Sequence, residues 1–181
     1  KFVAIDILGR LPKTIQGHQY LLVISERFTK LVRTIPLRRI TSILVAQSFS
    51  SGWVYIYGPP RVLISDNGTQ FTSKFFKEIC ETMSIKQVFT SAYHPQTNVQ
   101  VERFNRTILA QLRAFVGKDQ SNWDLFSPAV NYYYNTQVHI TTGYSPFDLV
   151  LSRTPPSGLI LPDPVPECFL SETMGEPDVR T

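Results

Sequence analysis

The stretch Arg61–Phe71 reads RVLISDNGTQF, and its first half decides the topology. VLIS is a short apolar run bounded by Gly58-Pro59-Pro60 before it and Asp66-Asn67-Gly68 after it, so it reads as a buried strand that stops on a carboxylate. Upstream, TSILVAQSFSSGWVYIYG (41–58) repeats Ile43, Ala46, Phe49 and Trp53 at helical spacing, with Thr41 or Ser42 as its cap. The strand at 61–65 is thus reached through a helical crossover, which brings it parallel to an earlier strand and right-handed.

Working outward from this point, Phe2 to Leu8, Tyr20 to Glu26 and Leu31 to Leu37 read as three strands with short connections, an antiparallel meander. Pro36 places the third near an edge. Residues 72–83 predict an amphipathic helix with Phe75, Phe76, Ile79 and Met83 inward, and 85–90 a fifth strand. A polar loop, SAYHPQTN (91–98), precedes a long helix over 99–117 with an apolar stripe of Val101, Phe104, Ile108, Leu112 and Phe115, leaving Glu102, Asn105 and Arg106 off that stripe. A further helix over 122–137 is expected to bend at Pro128. Two crossovers of fixed hand then give an α/β fold: a five-stranded mixed sheet of order 3-2-1-4-5 with helices on both faces. In such sheets ligands gather at the carboxyl ends of the parallel strands where the order reverses, here between strands one and four.

Composition narrows the class. The 181 residues are 43% hydrophobic, enough for one domain with a core. No apolar run reaches the roughly 18 residues of a membrane span, so no membrane partner is expected. KFVAIDIL begins in mid-strand, which predicts that the chain is a segment of a longer polypeptide. Cys80 and Cys168 form no CxxC and the three histidines are scattered, so free thiols in a reducing compartment are expected and no zinc finger. Residues 1–153 hold 17 bases against 9 acids, a net +8, which favours a polyanionic partner. The remainder holds five acids and one base. Residues 157–181, rich in proline and acid, read as a linker or tail after a domain spanning 1–156.

Three carboxylates carry the chemistry. Asp6 lies in strand one and Asp66 at the end of strand four, neighbours at the switch point. The 35 residues from 67 to 101 are enough for a helix, a strand and a loop that return Glu102 to the same edge. Two carboxylates 4 Å apart repel by about 4 kcal/mol at an effective dielectric near 20, so such a cluster calls for cations or a retained proton. All-oxygen ligands favour Mg²⁺ or Mn²⁺, and two such ions suit in-line phosphoryl displacement. Each acid alone has a plainer reading, as a backbone-bonded Asp or a Glu favouring the helix dipole. The joint placement is what points to a site.

The motifs SDNGTQFTSKFF, SAYHPQTNVQVERFNRTI and TGYSPFDLVLSRTPP, with DILGRLPKT and ERFTKLVRTIPL, resemble the catalytic core of retroviral and LTR-retrotransposon integrases, most closely the gypsy class. The resemblance covers about 1–156 and includes the family's Asp, Asp, 35 residues, Glu arrangement. It implies a ribonuclease H-like fold. It also implies a polynucleotidyl transferase and endonuclease that trims the 3′ ends of element DNA and joins them to target DNA. Asp6, Asp66 and Glu102 would be both catalytic residues and ligands of two Mg²⁺ or Mn²⁺ ions. Double-stranded element and target DNA, a homodimer or higher oligomer, and action in the nucleus are the implied partners and place. Matching positions put Tyr93, Gln96, Asn98, Arg103 and Arg106 as DNA contacts, with a solvated helix face as the plainer reading of the two arginines. Asn67 and His94 would support the site, though both also suit a turn. The NYYYN aromatics (131–135) suit a core or a dimer interface better than base stacking.

The sequence departs from the family at Asn98-Val99, where Val99 would stiffen the loop, and at Ser25 and Glu26 on strand two. A ribonuclease H-like nuclease or a cut-and-paste transposase is the nearest competing enzyme. A catalytically decayed or host-adopted DNA-binding or assembly module is the competing class.

Overall fold

Val62–Ser65 (β4) pairs in parallel with Phe2–Leu8 (β1) on one side and with Lys86–Phe89 (β5) on the other. Tyr20–Glu26 (β2) and Val32–Leu37 (β3) continue the sheet antiparallel beyond β1, giving the order β3-β2-β1-β4-β5 that the crossovers predict. The computed structural model describes residues 1–90, 105–113, 116 and 120–154. The 91–98 loop and the 157–181 tail lie outside the described residues.

The sheet is covered on both faces because its strands alternate. Val3, Ile5, Leu22, Ile24 and Leu63 pack against Ser42–Phe49 (α1) and Lys74–Thr82 (α3). Leu21, Val23 and Val32 face a helix over 105–113 (α4), through Ile108 and Leu112, and Ser127–Thr136 (α5), through Val130. Thr41 caps α1 by accepting the Leu44 N–H at 3.2 Å. The helix widens into a π stretch at Ser50–Val54, runs on through Tyr55–Tyr57, and ends at Gly58 with φ +80°. Gly52 lies so close to β3 that a Cβ there would meet Ile35 Cδ1 at 2.2 Å.

Several expectations need correction. Ile43 is 53% exposed, because the buried stripe of α1 runs through Val45, Phe49 and Trp53, alongside Ala46. The helix expected over 72–83 is Lys74–Thr82 (α3), and a short helix that was not expected, Thr69–Thr72 (α2), precedes it. Ser73 divides them in an extended conformation and caps α3 by accepting the Phe76 N–H at 3.2 Å. That register turns Phe76 and Cys80 inward and leaves Phe75 40% exposed. Pro128 does not bend a helix. A 3₁₀ segment, Gln120–Phe126, precedes it and Pro128 sits in the first turn of α5, where no N–H is needed. Pro146–Leu151 (α6), closed by a Ser145–Asp148 capping box, occupies the TGYSPFDLV region, where no element was expected.

The edge position of β3 agrees with Pro36, and α5 closes that edge with side chains. Asn135 accepts the Val32 N–H at 2.9 Å and donates to the Val32 carbonyl at 2.8 Å. Asn131 accepts the Thr34 N–H at 2.8 Å, and Ser127 bonds the Thr34 hydroxyl at 2.7 Å. Spaced four apart, these residues stand in for a missing strand. In NYYYN the two asparagines are buried. Tyr132 meets Phe147 edge-on, Tyr134 packs on the Trp123–Val130 cluster, and Tyr133 is 40% exposed.

Candidate active site

The parallel register Phe2↔Val62, Val3↔Leu63, Ala4↔Ile64 runs toward Asp6 on β1, and Asp66 follows directly after β4. Asp66 lies one residue past β4, exposed, and its Oδ1 accepts the Gly68 N–H at 2.9 Å, so the carboxylate itself starts the turn that leads into α2. Asn67 leans across to β5, its Nδ2 donating to the Thr90 carbonyl at 3.4 Å, a weak bond that supports a turn role. The Thr90 N–H and hydroxyl both reach the Ser65 carbonyl, at 2.8 and 3.2 Å, tying the ends of β4 and β5 together.

Asp6 is half-buried on the face covered by α4. Its Oδ1 accepts the Ile7 N–H at 2.8 Å and its Oδ2 accepts Asn105 Nδ2 at 2.6 Å. Burial pushes its carboxyl above the ordinary range, the hydrogen bonds from Ile7 and Asn105 oppose that, and the Asp66 charge adds to it. Two carboxylates thus already feel one another here. Among the described residues no third His, Cys, Asp or Glu joins them. Glu102, with Tyr93, His94, Gln96, Asn98, Val99 and Arg103, lies outside the described residues. Arg106 is described and exposed on α4.

Asn105 was expected off the apolar stripe and is instead 8% exposed. Polar residues bury only when partnered, and Asp6 is the partner. Since its amide nitrogen must face the carboxylate, its Oδ1 points elsewhere, buried and with no hydrogen-bond partner among the described residues. The signal that could have found it is its place three residues after Glu102 in the sequence, the spacing of neighbours in a helical reading. Carboxylate oxygens with an amide donor behind them are hard, oriented oxygen ligands, and the Asp6–Asp66 pair therefore fits a divalent cation of the Mg²⁺ type.

Other groups are unsuited to chemistry. Cys80 is buried, and burial first, with the Glu81 charge second, pushes its thiol up to about 12. Glu26 is 6% exposed at the far end of β2; burial raises its carboxyl, but the hydrogen bonds from Thr29 and Phe28 outweigh that and hold it below the usual range. It braces a turn, a structural reason for an acid at this position.

Residues 2–95 match the integrase core domain. The Retrovirus-related Pol polyprotein from transposon 412 of Drosophila melanogaster is 30% identical over 152 residues, which are 84% of this chain and 12% of that polyprotein. The Transposon Tf2-3 polyprotein of Schizosaccharomyces pombe is 30% identical over 154 residues, with the same shares, 84% and 12%. The chain therefore spans about one eighth of these curated relatives (12%). Among solved structures, the catalytic core domain of BIV integrase superposes with a TM-score of 0.68 at 22% identity, covering 83% of this chain and 93% of that one. The HTLV-2 integrase catalytic core domain in complex with magnesium superposes at 0.65 and 19% identity, covering 82% and 95%. These likenesses make the fold ribonuclease H-like, and the sequence match decides the rest: the chain belongs to the integrase core domain family found in retrotransposon and retroviral polyproteins.

Proposed function

We propose that this chain is the catalytic core, over 1–156, of an LTR-retrotransposon integrase that trims the 3′ ends of element DNA and joins them to target DNA. The observation that carries the reading is the nearness of Asp6 on β1 to Asp66, directly after the parallel neighbour β4, where the Asp66 charge acts on the Asp6 carboxyl. Asp6, Asp66 and Glu102 are the ligand set, and two Mg²⁺ or Mn²⁺ ions held there supply Lewis-acid activation of the attacking oxygen and of the phosphate.

The protein's own share of the work is positioning. Asn105 and the Ile7 N–H favour the ionised form of Asp6, against burial that favours the proton. The turn at Asn67-Gly68 keeps Asp66 at the mouth of the site, open to a DNA phosphate. Water is the nucleophile for end trimming and the exposed 3′-hydroxyl for joining, so no side chain forms a covalent bond to DNA. A buried Cys80 agrees with that. Tyr93, Gln96, Asn98, Arg103 and Arg106 are proposed contacts with the substrate end, Asn67 and His94 supporting residues. The working unit is a homodimer or higher oligomer acting in the nucleus, and 157–181 is a linker or tail outside the catalytic core.

The test is Mn²⁺-dependent cleavage and rejoining of a branched oligonucleotide by the chain, with Asp66→Asn as the comparison. Products that appear with the wild type and vanish with Asp66→Asn support the reading. Binding of DNA with no cleavage by either would point to an assembly module instead.

A further inference from the structure

The carboxyl end of the sheet carries more than the carboxylates. Leu8 of β1 pairs with Leu21, Tyr20 of β2 pairs with Leu37, and Ser65 of β4 pairs with Phe89. The β1–β2 hairpin (9–19), the residues after β3 and the turn after Asp66 therefore all emerge at one end. On the side away from β4 this end presents Arg10 and Lys13 on the hairpin and Arg38 and Arg39 after β3, all exposed. Among the described residues none of the four belongs to an ion pair; the two pairs present are His18–Asp124 and Lys74–Glu78. At about 4.8 Å between strands the row extends about 10 Å sideways from β1, and the hairpin stands about three residues beyond Asp6, another 10 Å.

The hairpin is also held rigid, which a solvated loop does not require. Asp124, 7% exposed in the 3₁₀ segment, bonds His18 Nδ1 at 2.6 Å and accepts the Thr14 hydroxyl at 2.9 Å. Trp123 Nε1 donates to the Pro12 carbonyl at 2.7 Å, and the Ile15 N–H donates to the Ser121 carbonyl at 2.9 Å. Asp124 is thus consumed internally and leaves the outward cations of the hairpin uncompensated. A preorganised row of arginine and lysine, with no acid to neutralise it, suits phosphates along a DNA strand.

We propose that Arg10, Lys13, Arg38 and Arg39 form a cationic ledge that seats the phosphate backbone of duplex DNA beside the Asp6–Asp66 centre. The ledge rests on the strand-transferase reading for its purpose, but it can fail separately from it. It adds contacts outside the 91–98 loop and the catalytic helix, and it predicts which flank of the site the duplex crosses.

The experiment is fluorescence anisotropy of labelled DNA with the 181-residue chain over a range of salt concentrations, without divalent metal and in the Asp66→Asn background, so that catalysis plays no part. Arg10→Gln with Lys13→Gln, and Arg38→Gln with Arg39→Gln, should each make the slope of log K against log salt shallower by about 1 to 2, near one per lost phosphate contact. Arg61→Gln with Lys86→Gln, at the opposite end of β4 and β5, should leave it within 0.5 (an order-of-magnitude bound). Thermal melts of all three should match the parent. A change on a plain blunt duplex assigns the ledge to target DNA, and a change only on a branched joining product assigns it to the element end; either supports it. An unchanged slope in both catalytic-end pairs, an equal loss in the Arg61/Lys86 pair, or no measurable binding by the parent chain overturns it.

Discussion

Replacing Asn105 by leucine should separate metal affinity from stability. The 2.6 Å bond from Asn105 Nδ2 to Asp6 Oδ2 is charge-assisted when Asp6 is ionised, worth about 1.5–3 kcal/mol. Losing an orienting partner of that kind lowers divalent-metal affinity by about 10- to 100-fold. Stability should change little, because the same substitution removes the buried Asn105 Oδ1, which has no partner among the described residues and whose desolvation costs about 1–3 kcal/mol. The two terms nearly cancel, and the apo variant should unfold within about 1 kcal/mol of wild type.

The pH dependence has a definite sign. Asp6 is already held above its ordinary range, chiefly by burial, so the folded chain keeps that proton when the unfolded chain has lost it. Its contribution to stability is present below the ordinary carboxylate range and falls as pH rises through the raised value. Metal binding runs the other way, because it needs the ionised form, and strengthens with pH over the same window. Without Asn105 both transitions move to higher pH. Calorimetric titration of Mn²⁺ at several pH values, beside urea melts, reads both. A variant that binds Mn²⁺ within threefold (about 0.65 kcal/mol) of wild type at every pH, while Asp66→Asn does not bind, would refute the role given to Asn105.

Two further outcomes follow from the packing. Asn135→Ala strips partners from the N–H and the carbonyl of Val32, which is fully buried, and should destabilise the chain by about 2–5 kcal/mol with an unchanged urea m value; a loss under about 1 kcal/mol would show that the β3 edge finds other partners. Cys80, with its thiol pushed up to about 12, should resist iodoacetamide at pH 8 in the folded chain and react in urea, as peptide mass mapping will show; rapid labelling without urea would mean that the α3 face opens readily.

Strand identities and order were legible because each depends on local periodicity and on the fixed hand of crossovers. VLIS, YLLVISE and FVAIDIL name their own strands, and the two helical connections leave one arrangement. Asp66 was legible for a similar reason: a carboxylate that ends an apolar strand before Asn-Gly stands out in the sequence. Helix faces were legible only to within one position. Ile43 and Phe75 lie outward because Thr41 and Ser73 set where each helix starts, and a shift of one residue rotates a face by about 100°. His18, Asp124 and the asparagines of α5 could not be assigned from sequence, and Asn105 only by its spacing from Glu102. Their partners lie 97 to 110 residues away, and a polar side chain looks the same in sequence whether it meets water or a buried carboxylate. Periodicity and the hand of the crossovers were enough for the order of the scaffold and for proposing which carboxylates meet. Which polar groups are held, and by what, followed from the folded arrangement alone, because burial and hydrogen bonding are properties of neighbours in space.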